Sequence, residues 1–143
     1  MRYSHVDFDG CYVRVPGVSG RSCALREPLR RFLIERHAEK GGEAPLAGAR
    51  GEPMTAADID GLVACAAHDA GLMNAGEVTS ETLRYTYLAY LVRQGARLAE
   101  IGELIGRIPP AAYREYGLLS PPGPGLPMEE IDPVYPVLRD LQR

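Results

Sequence analysis

From Thr79 to Gly117 the chain is punctuated as a series of short helices with fixed ends. Thr79 or Ser80 can cap the first of them, because a hydroxyl there accepts from a first-turn N–H that has no partner within the helix. Leu83, Tyr87, Leu88, Leu91 and Val92 then recur on one face until Gly95 supplies the stop. Leu98, Ile101, Leu104 and Ile105 repeat the pattern up to Gly106, and Pro109-Pro110 admits one more short helix carrying Tyr113 and Tyr116. Helices this short are marginal alone, so the stretch must fold by packing them on one another.

Upstream the period changes. Val6, Phe8, Tyr12, Val13 and Val15 alternate around Asp9-Gly10, a dipeptide that favours a tight hairpin turn, and Ser22 to Leu25 is a candidate third strand. Pro28 suits a first helical turn, and Leu29, Phe32, Leu33 and Ile34 form an apolar stripe ending near Lys40-Gly41-Gly42. The segment GGEAPLAGARGEPM reads as loop. Thr55 with Asp58 three residues on is a capping pair for a helix containing Ile59, Leu62, Val63, Ala66 and Ala67. The Pro-rich run SPPGPGLP breaks regular structure, and Asp132 is placed to cap a last short helix from Pro133 to Leu141. The expected fold is α+β: a small antiparallel hairpin or three-stranded sheet followed by a mainly helical bundle over residues 1–119, with a Pro-rich linker and short C-terminal helix over 120–143.

A chain of 143 residues suffices for one domain with its own core. No window is long and apolar enough for a membrane span, and Met1 leads into RYSHVDFDG rather than a signal sequence, so the expected setting is cytoplasmic, without a membrane partner. Cys11, Cys23 and Cys65 are odd in number and lie in no metal-ligand spacing, which argues against a disulfide framework and against zinc; they read as buried or incidental thiols. His5, His37 and His68 stand alone and read as surface or half-buried side chains. The net charge of −3 is a poor footprint for a protein that wraps duplex DNA. Arginine nevertheless supplies fifteen of the sixteen basic side chains, and its planar fork suits phosphate oxygens.

The segment SETLRYTYLAYLVRQGARLAEIGELIGRIPPAAYREY resembles the last catalytic block of the tyrosine recombinase, or phage integrase, family. That family carries His-x-x-Arg-His at the start of a helix, Leu-Gly-His after the next, and a tyrosine beyond. The corresponding positions here are Glu81, Arg84 and Tyr85, then Gly106 and Arg107, then Tyr116. REPLRRFLIER is similar to the family's Pro-Leu helix after its third strand, and GEPMTAADIDGLV to its Gly-x-x-Leu-Thr helix entry. The resemblance spans residues 5–116 and implies an integrase-like catalytic domain whose tyrosine attacks a DNA phosphate without metal or cofactor. Arginines brace the phosphoryl oxygens there, a hairpin lysine protonates the leaving oxygen, and histidines assist.

On that resemblance Arg84 matches one bracing arginine and Tyr116 the nucleophile. The family's other arginine lies on a helix before the hairpin and has no counterpart in this sequence. The hairpin lysine has none either, since Lys40 ends a helix and the matching loop offers only Arg14 and Arg21, which are poor proton donors. Glu81 places a carboxylate, which repels phosphate, where the family has an imidazole. Arg84 is equally placed to pair with Glu81 or Glu77, and Tyr116 or Tyr113 to close the core.

Three functions are expected, from different classes. The first is a degenerate, catalytically inactive recombinase-like protein that binds duplex DNA through Arg14, Arg21, Arg84, Arg107 and Arg114 or regulates recombination and integration. The second is an active recombinase half completed by another chain through Tyr116 chemistry. The third is a protein-binding module whose tail, with Val134, Tyr135, Val137 and Leu138, docks on a recombinase-like chain or on a second copy, unless it folds back on its own domain. The residues from Leu98 to Gly117 also read as a helix-turn-helix with a short recognition helix, which would put Tyr116 in the core rather than in a phosphate cleft.

Overall fold

The computed structural model describes residues 1–17, 20–27, 29–49 and 52–139. Among them the fold is mixed, with one three-stranded antiparallel sheet, one small hairpin and six helices. Strands β1 (Val6–Asp7), β2 (Tyr12–Val15) and β3 (Arg21–Ala24) lie in the order β1-β2-β3, with Val6 opposite Val13 and Val13 opposite Cys23. The expected tight turn at Asp9-Gly10 is instead a four-residue loop, Phe8 to Cys11, and Phe8 leaves the strand. The Asp7 carboxylate accepts from the Gly10 N–H at 2.6 Å, and Cys11 takes the left-handed conformation at φ 56°. A Cβ on Gly10 would lie 2.7 Å from the Tyr12 ring and 2.9 Å from the Asp7 carboxylate, so a larger residue there would push both side chains aside.

Helix α1 (Leu29–Lys40) follows the sheet. Pro28, assigned to its first turn from sequence, lies outside the described residues. The expected loop after it contains a two-residue hairpin, β4 (Gly48–Ala49) with β5 (Glu52–Pro53), which carries no strand-like alternation by which sequence could find it. Helix α2 (Ala56–Asp69) begins with the expected capping box: the Asp58 N–H donates to the Thr55 hydroxyl at 3.2 Å, and the Thr55 N–H to the Asp58 carboxylate at 2.8 Å. Helix α3 (Ser80–Arg93) is capped by Thr79, and helices α4 (Leu98–Ile105) and α5 (Pro110–Gly117) complete the bundle. Gly95 and Gly106 end α3 and α4 in positive φ, at 94° and 85°. Helix α6 (Pro136–Arg139) starts three residues later than expected. Asp132 accepts from the Val134 N–H in a local turn instead of capping it, and Leu141 lies outside the described residues.

Two apolar clusters hold the chain. The larger joins Leu88, Leu91 and Val92 of α3 to Ile101 and Ile105 of α4, with Ile108 and the tail residue Ile131. The smaller joins Tyr3 and Leu25 to Leu33 of α1, with Val6, Phe8, Val13, Ala44 and Leu46 against it. The helical stripes are therefore only half right. Of the α1 stripe Leu33 alone is buried while Leu29, Phe32 and Ile34 are exposed; in α2 Ile59 and Leu62 face solvent, and in α3 so does Leu83. No helix among the described residues is long and apolar enough to cross a membrane. Cys11, Cys23 and Cys65 are free thiols; Cys11 and Cys65 are exposed rather than buried.

The tail beyond α5 runs back along α3. Leu126 accepts from the Arg97 N–H and donates to the Gly95 carbonyl at 2.7 Å. The Tyr87 hydroxyl donates to the Pro133 carbonyl at 2.7 Å, Tyr90 to the Val134 carbonyl at 2.9 Å, and the Gln94 amide to the Asp132 carbonyl at 2.9 Å. Tyr135 packs edge-on against Tyr90. Of the four tail residues named from sequence, Val134 and Tyr135 lie against α3, Val137 is exposed, and the side chain of Leu138 is outside what the structure describes.

Candidate functional site

The first turns of α3, the loop leaving α4 and the last turn of α5 meet at Arg84. One guanidinium nitrogen, Nη1, donates to the Glu81 carboxylate at 2.6 Å, and Nη2 donates to the Arg107 carbonyl at 2.7 Å. Nε is buried with no acceptor among the described residues. The pairing with Glu81 uses the i,i+3 spacing that places both side chains on one helical face. The bond to Arg107 becomes available because Gly106, at φ 85° and ψ −172°, turns the chain into a conformation that side chains exclude and aims the next carbonyl at α3.

Two phenols complete the cluster. The Arg84 guanidinium carbon lies 5.1 Å from the centre of the Tyr85 ring, and the Tyr85 ring stacks on Tyr116 with centroids 6.0 Å apart. Tyr116 is half-buried against the larger apolar cluster. Burial, followed by the neighbouring Tyr85 and Glu115, raises its phenol above the usual tyrosine range; Arg84 pulls it down and Glu81 pushes it up. The shift favours the neutral phenol, and the ring packs against the edge of the larger apolar cluster.

Arg21 reaches the same region from the sheet. Its Nε donates to the Leu104 carbonyl at 3.2 Å, and its guanidinium lies so close to Gly106 that a Cβ there would sit 3.0 Å from Nη1. Arg21 therefore satisfies one of the carbonyls that α4 leaves open at its C-terminal end, where a cation also complements the helix dipole. No local sequence signal marks this role, since the partners are 83 residues apart. Arg21 and Arg107 share an open hollow of about 360 Å³ with Gly20, Gly102, Gly106 and Glu103.

The remaining arginines are placed differently. Arg14 alternates with Val13 and Val15, whereas Arg21 sits opposite Val15, so the two project from opposite faces of the sheet. Arg14 lines a separate hollow with His5, Asp7, Asp9 and Tyr12. Arg114 is exposed on α5, and neither it nor Arg107 forms an ion pair among the described residues. The arrangement brings Arg21, Arg84, Arg107, Tyr85 and Tyr116 together and leaves Arg14 apart. It offers fixed positive charge and a neutral phenol. Glu81 and Glu103 place carboxylates beside the arginines.

No family model matches this sequence, no curated protein matches it, and no solved structure matches its fold.

Proposed function

We propose that the chain is a degenerate tyrosine-recombinase-like domain that contacts duplex DNA through phosphates, or regulates recombination in that way, without cleaving the strand. The observation that carries this reading is the occupancy of Arg84. Two of its nitrogens are engaged inside the protein, by Glu81 and by the Arg107 carbonyl, so it braces the fold rather than a reacting phosphoryl group. Tyr116 stacks on Tyr85, and the groups that act on it among the described residues, Tyr85, Glu115, Arg84 and Glu81, include no imidazole or lysine. Arg21 and Arg107 at their shared hollow, with Arg114 on the adjacent helix, supply the charge for phosphate contact.

Fluorescence anisotropy of a short labelled duplex at several salt concentrations tests the reading. Binding is expected at low salt and to weaken steeply as salt rises, with Arg107→Ala and Arg114→Ala each reducing the salt slope by about one unit. A nicked trapping substrate is expected to yield no covalent adduct. Absence of binding at the lowest salt removes the DNA reading and leaves a protein-contact module, which the carboxylates beside the arginines favour. An adduct abolished by Tyr116→Phe would instead establish an active half completed by another chain.

A further inference from the structure

A carboxylate lines the hollow that Arg21 and Arg107 share, and phosphate contact gives it no role. Glu103 lies on the last turn of α4, four residues before Arg107, a spacing at which two side chains pair along a continuous helix. Gly106 ends the helix between them, and among the described residues neither forms an ion pair. The neighbouring Glu100 is occupied by the Met128 N–H and by Arg97, whereas no hydrogen bond among the described residues engages the Glu103 side chain. Glu103 also borders the next hollow, which Glu100 and Glu129 line, so this wall is acidic. Arg21 is held differently. Its Nε is anchored on the Leu104 carbonyl, and its terminal nitrogens lie over Gly106, where a Cβ would sit 3.0 Å from Nη1 and 3.7 Å from Nη2. Among the described residues those two nitrogens have no acceptor. The result is a donor fork oriented by the backbone before any ligand arrives, at an open space of about 360 Å³ into which Gly102 and Gly106 send no side chain.

We propose that this hollow reads an unpaired guanine, with Arg107 on the adjoining phosphate; the proposal rests on the nucleic-acid reading above. Guanine carries two acceptors, O6 and N7, on one edge and two donors, N1–H and the N2 amino group, on the next. The Arg21 fork donates to O6 and N7, and the Glu103 carboxylate accepts from N1–H and N2–H. No other base sets two adjacent acceptors beside two adjacent donors: adenine and cytosine each bring a single amino group, and thymine a single N–H. The base must be unpaired for two reasons. Within a base pair, N1–H and N2–H of guanine are already donated to cytosine. The edges that remain lie inside a groove, which a protruding element enters and a hollow does not.

Fluorescence anisotropy at low salt compares the whole chain on a duplex carrying a single unpaired guanine, adenine, cytosine or thymine, and on the same duplex fully paired. The unpaired guanine is expected to bind about tenfold tighter than the other three, within the range of a bidentate contact. Hypoxanthine in its place lacks the N2 amino group and is expected to lose several-fold, with the protein itself unaltered. Glu103→Gln changes an exposed position and is expected to keep the wild-type melting temperature. Its amide offers a single acceptor, so the preference for guanine over hypoxanthine is expected to vanish, while the fully paired duplex binds no more weakly because a negative charge has gone. Should the variant melt early, the hypoxanthine comparison on wild type decides alone. Equal affinity for the four bases, or preference for one other than guanine, overturns the guanine site and leaves phosphate contact standing. A guanine preference that a folded Glu103→Gln variant retains overturns it as well. Absence of binding to every duplex, the guanine-bearing one included, overturns both readings.

Discussion

A guanidinium carries five N–H donors, and at Arg84 the acceptors that meet them are Glu81 and the Arg107 carbonyl, both from within the protein. The Glu81 carboxylate, about half exposed, therefore has two consequences that oppose each other. It steadies the first turns of α3, and it cancels charge that would otherwise act on a phosphate. Glu81→Gln separates them. An exposed pair of this kind contributes about 0–1 kcal/mol, so the variant is expected to lose no more than that in denaturant titration. Its duplex affinity at low salt is expected to rise several-fold, because one repulsive charge disappears while the amide oxygen can still accept from Nη1. Unchanged affinity would show that DNA, if bound, does not approach Arg84. The i,i+3 spacing made the Glu81–Arg84 pair legible from sequence, whereas the Arg84 bond to a carbonyl 23 residues away was not.

At the scale of elements, Gly106 decides how α4 ends and where the Arg107 carbonyl points. Its φ of 85° and ψ of −172° belong to a region that residues with a Cβ avoid at a cost of about 1–3 kcal/mol. The Arg21 guanidinium lies where that Cβ would go, at 3.0 Å, and a long side chain can yield by a few tenths of an ångström. Gly106→Ala is accordingly expected to destabilise the fold by about 1–3 kcal/mol. Chemical denaturation measures this, and a variant as stable as wild type would mean that the loop can rebuild itself. Caps and stops of this kind were readable because they act locally: Thr55 with Asp58, Thr79, Gly95 and Gly106 all sit where sequence placed them. The facing of α1 and α2 was not. Periodicity identifies an apolar stripe but not whether anything covers it, and Phe32, Ile59 and Leu62 remain exposed. The hairpin loop also escaped, because the Asp7 carboxylate, rather than the Asp-Gly dipeptide alone, sets its length. Of the candidate site, Arg21, Arg84, Arg107 and Tyr116 were all named from sequence, but the Arg21 bond to the Leu104 carbonyl and its packing on Gly106 are tertiary and were not legible, and Arg14 departs with the other sheet face.

Over the whole molecule, carboxylates serve as joints between elements. Asp60 of α2 accepts from the Ser80 hydroxyl at 2.6 Å and the Ser80 N–H at 2.8 Å, which ties α2 to the start of α3. Glu100 of α4 accepts from the Met128 N–H at 2.8 Å and from Arg97, which ties α4 to the tail. The Ser80 hydroxyl and N–H hold the Asp60 carboxyl below its ordinary value, and the Met128 N–H followed by Arg97 does the same for Glu100. In each case the unfolded chain binds the proton at a higher pH than the folded one. Their contribution is complete above the ordinary carboxylate range of about 4 and is lost as pH falls through the lowered folded values. Tyr87, raised first by burial, and Tyr116 have the opposite sign: the folded chain holds their protons longer, so their contribution is present below about pH 10 and is lost as pH rises past the folded values. Stability is therefore expected to be level through neutral pH and to fall on both sides. Asp60→Asn isolates one acid step, because the amide oxygen can still accept from Ser80 but no longer titrates. Thermal unfolding of wild type and variant between about pH 2 and about pH 7 is expected to give a shallower acid decline in the variant and a smaller gap between them at the acid end. Parallel curves would instead place the acid sensitivity at other carboxylates and leave the α2–α3 joint indifferent to the charge on Asp60.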